Sequence, residues 1–203
     1  DVKSEGVLRL GVPEDFAAER LMPILSRFGR EHPGVRLEVT SGLGPELMRL
    51  YRQGEFDLLL VKQMGQDADC LASWPERMCW VDSRSTPALA RDPLPLVVFP
   101  VGGLYRNEML HHLEMGGWRW RINYSSASLA SVCAAVAAGL GISLLPERVI
   151  RADHQVLEAC CGLPDIQGVF LALYGLNGLS HAGNLLKHQL IDLCQALAQP
   201  QSA

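Results

Sequence analysis

Between Ser125 and Pro146 the chain reads SSASLASVCAAVAAGLGISLLP: a polar turn, a helix of small residues, a glycine break and a buried strand that a proline ends. Leu129, Val132, Cys133, Val136 and Ala137 recur at i, i+3, i+4, i+7 and i+8, which makes one helix face apolar. Ser125, Ser126 and Ser128 crowd its start, where hydroxyl oxygens can accept from the unpaired N–H groups of a first turn. Gly139 stands where a left-handed C-terminal cap is expected, a conformation that glycine adopts without steric cost. Ile142 to Leu145 fit a short strand, which Pro146 ends for want of a backbone N–H. A serine-rich helix start beside a buried strand suits a small anion.

The sequence on either side extends this pattern. Leu96 to Phe99 reads as a buried strand, Pro100-Val101-Gly102-Gly103 opens a helix near Leu104 to Met115, and Trp118 to Ile122 is the next strand. With the opening stretch this makes a βαβαβ unit. An earlier one precedes it. Residues 7–12 (VLRLGV) form a strand, Pro13-Glu14-Asp15 a turn, and Leu21, Ile24, Leu25 and Phe28 mark a helix that His32-Pro33-Gly34 stops. Val35, Leu37 and Val39 alternate with polar residues, Ser41 to Pro45 turns into a second helix, Gly54 closes it, and Phe56 to Val61 is a buried strand. Gln63 to Ser73 reads as a polar loop, and Met78 to Val81 as a short strand. Val156-Leu157 and Val169 to Tyr174 are further strands, and a helix over 182–197 closes the chain. Strand–helix alternation implies parallel sheets with right-handed crossovers.

The expected fold is α/β, with two Rossmann-like lobes and a ligand cleft between them. Lobe I is expected to take residues 1–62 plus 175–203 and lobe II residues 63–174, with crossing segments near 62–77 and 160–175. Ligands in such architectures favour the carboxyl ends of strands and the N-termini of helices.

Composition narrows the function. The 203 residues, 48% hydrophobic and 20% charged, are those of a globular chain, and no apolar run reaches the roughly 20 residues of a membrane span. A formal charge of −4 argues against nucleic-acid binding by this segment alone. Arg119 and Arg121 alternate with Trp118 and Trp120 as in a strand with one apolar and one solvated face. Residues 1–12 carry no basic start, apolar stretch or cleavage site of a secretory signal, so a cytoplasmic location and reduced thiols are expected. The six cysteines form no C-x-x-C or zinc pattern; Cys133 and Cys194 read as core residues, and Cys160-Cys161 as a chance neighbour pair or a redox pair.

Chemical motifs are sparse. Gly42-x-Gly44 lacks the third glycine of a dinucleotide fingerprint, because Leu47 stands there, so the glycines serve a tight turn or close approach to a small ligand. There is no Walker A, H-E-x-x-H or G-x-S-x-G sequence, and no metal or cofactor is expected. Glu14 and Asp15 fit an acid/base pair or ordinary helix-start carboxylates. The candidate ligand residues are Pro13, Glu14, Asp15, Ser41, Gly42 and Gly44 in lobe I. In lobe II they are Pro100, Val101, Gly102, Arg106, Ser125 and Ser126. Hydroxyls, free N–H groups and the Arg106 guanidinium make a carboxylate site; alternatively the serines only cap helices and Arg106 is a surface charge.

Several strings resemble those of one family. They are Gly6-x-Leu8-Arg9-Leu10-Gly11, Leu21-Met22-Pro23-x-Leu25…Phe28, His32-Pro33-Gly34-Val35, Ser41-Gly42-x-x-x-Glu46-Leu47 and Gly54-Glu55-Phe56-Asp57-Leu58. Above all there is Val136-Ala137-Ala138-Gly139-Leu140-Gly141-Ile142-Ser143-Leu144-Leu145-Pro146. Their order and spacing resemble the effector-binding domain of LysR-type transcriptional regulators. The resemblance implies a fold like the type 2 periplasmic binding proteins and a small-molecule effector, a carboxylate or an aromatic compound, between the lobes. It also implies a homodimer or homotetramer, no membrane contact, and DNA contact only through an N-terminal winged helix-turn-helix outside this sequence. By position, effector contacts fall at Pro13–Asp15, Ser41–Gly44, Pro100–Gly102 and Ser125–Ser126. Members often carry Ser or Thr after the first strand and in the second turn, where this chain has Pro13-Glu14-Asp15 and Gly44. A non-enzymatic regulatory sensor is therefore the leading expectation. A transporter's periplasmic solute-binding protein and a lyase on the same architecture are the alternatives.

Overall fold

The computed structural model describes residues 6–17 and 20–199. The chain divides into two compact units, Asp1–Glu76 with Gly168–Ala203, and Arg77–Gln167. The expected division lay after residues 62 and 174. The observed one differs because the strand over Val169–Gly175 pairs along its whole length with the strand over Leu58–Met64.

The first unit contains β1 (Gly6–Pro13), α1 (Glu14–Ala17), α2 (Met22–Glu31), β2 (Val35–Gly42), α3 (Gly44–Arg52), β3 (Leu58–Met64) and β4 (Ala72–Pro75). The returning chain adds β10 (Val169–Gly175) and α6 (His181–Ala198). Its sheet order is β2-β1-β3-β10-β4; β1 is parallel to β2 and β3, while β10 is antiparallel to β3 and β4. The buried run Leu58-Leu59-Leu60-Val61 feeds two cores at once, because successive side chains of a strand point to opposite faces. Leu58 and Leu60 join Leu8, Leu10, Phe28, Leu186 and Leu190 on one side; Leu59 and Val61 join Leu47, Phe56 and Tyr174 on the other. Asp57 locks this sheet: its carboxylate accepts from the Arg9 N–H at 2.7 Å and pairs with the Arg9 guanidinium at 3.3 Å. That turn delays β3 to Leu58, two residues after the strand start that the sequence suggests. β4 starts inside the segment expected to be a loop, Gln63 to Ser73, and runs two residues past it. It is a short, half-exposed edge strand and so carries no run of buried residues to announce it.

The second unit contains β5 (Met78–Ser83), β6 (Leu94–Val98), α4 (Leu104–Met115), β7 (Trp120–Ser125), α5 (Leu129–Ala137), β8 (Ser143–Pro146) and β9 (His154–Leu157). β6 and β7 are parallel, and β8-β5-β9 is antiparallel. Ile142, just before β8, joins the two groups. Its N–H donates to the Pro95 carbonyl at 3.0 Å, and its carbonyl accepts from Val97 at 2.8 Å in a parallel bridge. The order β7-β6-β8-β5-β9 thus repeats that of the first unit with different residues. Gly141 permits the join, because a Cβ there would lie 2.6 Å from the Pro95 carbonyl oxygen.

Gly139 has φ +81° at the end of α5, and a Cβ there would lie 2.7 Å from the Thr86 carbonyl oxygen. Left-handed strain costs roughly 1–2 kcal/mol for other residues. Pushing the Thr86 segment aside adds a comparable amount, roughly 1–3 kcal/mol. Gly139→Ala is therefore expected to lower the unfolding free energy in urea by about 3 kcal/mol. A loss under about 1 kcal/mol would show that the loop at Thr86 yields freely.

Candidate functional site

In the first unit the expected segments meet at the carboxyl ends of the parallel strands. Val12 and Pro13 face Ser41 and Gly42 in register, so the ends of β1 and β2 lie side by side. Glu14 and Asp15 follow in the one-turn α1, and Gly44 opens α3. The N-cap of α3 is Leu43, which offers no side-chain cap, and Pro45 has no N–H, so the first turn of α3 starts without a side-chain cap. Ser41 is exposed.

The residue that organises this end is Lys62, in β3, which the sequence reading did not single out. Its ammonium pairs with the Asp15 carboxylate and lies 3.4 Å from Glu76, with side-chain exposures of only 6%, 5% and 8% for Lys62, Asp15 and Glu76. The Lys62 carbonyl also lies 3.1 Å from where a Cβ on Gly44 would stand, which explains the glycine. Asp15 is thus a buried ion-pair partner rather than an exposed helix-start carboxylate. A lysine directly after four buried apolar residues was the available signal. A charge at the end of a two-faced buried strand demands a counter-charge.

In the second unit, Val98 at the end of β6 faces Ser125 at the end of β7, and the Ser126 N–H donates to the Val98 carbonyl at 3.1 Å. Pro100 to Gly103 turns the chain into α4, with φ +90° at Gly102 and the Gly103 N–H on the Pro100 carbonyl at 3.1 Å. α4 too starts without a side-chain cap. Arg106 folds back from α4 to donate to the Phe99 carbonyl at 3.2 Å, which holds its guanidinium at the strand end. Ser126 accepts from the Ser128 N–H and Ser128 from the Ser131 N–H, so both hydroxyl oxygens help start α5 while each keeps its O–H donor. Ser125 ends β7, is exposed, and plays no part in that cap. Val101 is fully on the surface of the turn.

The polar interior of the second unit is structural. Asp82 accepts from the N–H groups of Ser83, Ala88 and Leu89, at 2.7 to 3.0 Å. Buried His154 accepts at Nδ1 from the Arg151 N–H and therefore donates from Nε2 to the Cys133 carbonyl at 2.8 Å, which fixes its tautomer. In the first unit, burial first and then the bond to Asp67 push the Tyr174 hydroxyl up to about 12, and Tyr174 lies 2.7 Å from Gln63 and 2.9 Å from Asp67. Among the described residues no three His, Cys, Asp or Glu side chains are grouped to hold a metal ion. No described helix is long and apolar enough to cross a membrane. Burial pushes the Cys79 thiol up. The Cys160 side chain, half of the sequence pair, lies outside the described residues.

The chain resembles known regulators throughout. The LysR substrate binding domain family matches residues 3–174. The regulator DgdR of Burkholderia cepacia is 26% identical over 168 residues, covering 83% of this chain and 57% of that protein. PecT of Dickeya dadantii (strain 3937) is 27% identical over 162 residues, covering 80% and 51%. The chain therefore spans about half the length of these curated relatives. Among solved structures, the regulatory domain of HypT from Salmonella typhimurium superposes with TM-score 0.71 at 16% identity, covering 95% of this chain and 97% of that one. The Synechocystis PCC6803 CcmR regulatory domain in complex with 2-PG gives 0.67 at 19%, covering 98% and 100%. The effector binding domain of QuiR in complex with shikimate gives 0.66 at 16%, covering 96% and 98%. These likenesses agree with a fold of the type 2 periplasmic-binding-protein kind. The strings spread from Gly6 to Pro146 and the repeated sheet order thus have one common source: the chain belongs to the LysR substrate binding domain family.

Proposed function

We propose that this chain is the effector-sensing portion of a cytoplasmic LysR-type transcriptional regulator and has no enzymatic role. The observation that supports it most is that, in each unit, the segments expected to touch ligand lie together at the carboxyl ends of parallel strands, beside a helix start without a side-chain cap. The effector is a small carboxylate or aromatic compound bound at these strand ends. The first unit contributes Pro13, Glu14, Asp15, Ser41, Gly42 and Gly44, to which we add Lys62. The second contributes Pro100, Val101, Gly102, Arg106, Ser125 and Ser126, with the Arg106 guanidinium and free amides suited to a carboxylate. The full regulator acts as a homodimer or homotetramer, and its DNA contacts belong to a separate N-terminal domain, in keeping with the charge of −4 here. The ligand works by preferring one arrangement of the protein over another. The transporter reading is not favoured, since the matched relatives are transcriptional regulators.

A thermal-shift screen of shikimate, 2-PG, other small carboxylates, phenols and quinolones tests the proposal. A true effector at about a hundred times its Kd adds about 2.7 kcal/mol. For a chain of this size that raises the melting temperature by roughly 5–10 °C. Arg106→Ala is expected to abolish most of the shift for a carboxylate without lowering the unliganded melt much. Failure of every compound to stabilise the chain would count against sensing. A shift that survives Arg106→Ala intact would remove Arg106 from the site.

A further inference from the structure

Lys62 serves two acids from different parts of the first unit, and one of them sits where the chain leaves that unit. Asp15 is the second residue of α1, at the proposed effector end. Glu76 is the last residue before the second unit, and its N–H donates to the Val169 carbonyl at 2.8 Å. Val169 faces Met64 across β3 and β10, and the Gly65 N–H donates to the Gly168 carbonyl at 2.8 Å, so the outgoing and returning crossings are stitched together beside Glu76. Lys62 faces Leu171 in the same ladder. The ammonium contacts Asp15 more closely than Glu76, which stands at 3.4 Å.

We infer that Lys62 is a positioning residue whose ammonium, shared between Asp15 and Glu76, couples the effector end of the first unit to the two chain crossings. The physical basis is competition. All three groups are buried, where charges interact strongly and the two carboxylates repel each other. Whatever removes the claim of Asp15 on Lys62 strengthens the pair with Glu76 and tightens the crossing; whatever removes Lys62 leaves two buried acids repelling and loosens it. An effector group that engages Asp15 or Lys62 changes this sharing. The link to an effector rests on the function proposed above, but the coupling within the first unit is testable without one.

Amide hydrogen exchange in the 203-residue chain makes the test, with the Glu76 and Gly65 amides as reporters and the Ile142 amide of the second unit as reference. Asp15→Asn is expected to slow Glu76 exchange at least threefold relative to Ile142, the opposite of what simple loss of a structural contact would do. Lys62→Met is expected to speed Glu76 and Gly65 at least tenfold relative to Ile142, and Lys62→Arg to return them to within threefold of wild type. If Lys62→Met does not fold, Asp15→Asn and Lys62→Arg decide alone. The inference is overturned if Asp15→Asn leaves the Glu76 ratio unchanged or raises it, or if Lys62→Arg exchanges as fast as Lys62→Met. Such a result would leave the effector-binding proposal untouched, since no effector is present in the experiment.

Discussion

Asp82→Ala is expected to destabilise the chain by about 5 kcal/mol, because it strands three backbone donors at a cost of roughly 1–3 kcal/mol each. Asp82 is almost wholly buried, and its two oxygens accept from Ser83, Ala88 and Leu89 at the mouth of the loop that follows β5. That loop in turn finishes α5. The Ser83 hydroxyl donates to the Ala137 carbonyl at 2.7 Å, and Arg91 donates to the Gly139 carbonyl at 2.9 Å, so the last carbonyl of α5 and that of the glycine beyond its cap are satisfied. The measurement is urea unfolding, with the thermal melt falling by roughly 15 °C at 2–4 °C per kcal/mol. Asp82→Asn keeps one acceptor oxygen but turns an amide toward the other donors, so it should lose about half as much. A loss below about 1 kcal/mol for Asp82→Ala would mean that the loop finds new partners for all three N–H groups.

Lys62→Met ranks second, at about 4 kcal/mol, within the 3–5 kcal/mol that removing one partner of a buried ion pair costs. The methionine side chain fills much the same volume, so the loss reports charge rather than packing. Lys62→Arg retains the cation and should cost about 1–2 kcal/mol for the bulkier head group. Adding Asp15→Asn and Glu76→Gln to Lys62→Met should recover more than half the loss, since the two acids that faced the ammonium then carry no buried charge. Equilibrium unfolding of the three variants measures this. If the triple variant is no more stable than Lys62→Met, packing rather than electrostatics explains the effect.

Lys62 and Asp82 differ in how far the sequence announces them. Lys62 followed four apolar residues in a strand read as buried, so its need for a counter-charge could have been inferred; which acids met it could not. Asp82 gave no signal at all, because it opened a polar, proline-bearing stretch that reads as an ordinary solvated loop, yet the structure buries its carboxylate. β4 escaped notice for the opposite reason, since a four-residue edge strand lacks a periodic pattern. The serines show a partial success. The helix start they announced is real, but Ser126 and Ser128 turn their oxygens to making it, and Ser125 belongs to the end of β7.

By itself the sequence determined the alternation of strands and helices, the places where helices start and stop, and the family. All of these depend on local periodicity, on glycine and proline stereochemistry, and on the order of short strings along the chain. The stretch from Ser125 to Pro146 carried most of that, and Gly139 is left-handed in the structure as its position required. Only the tertiary structure decided that β10 returns to pair with β3, and so where one unit ends. It also decided that Ile142 splices β8 to β6, and that Lys62 stands between Asp15 and Glu76. These features join residues 14 to 117 positions apart. No periodicity of 2 or 3.6 reaches that far; burial of charge and closure of the sheets select such partners in three dimensions.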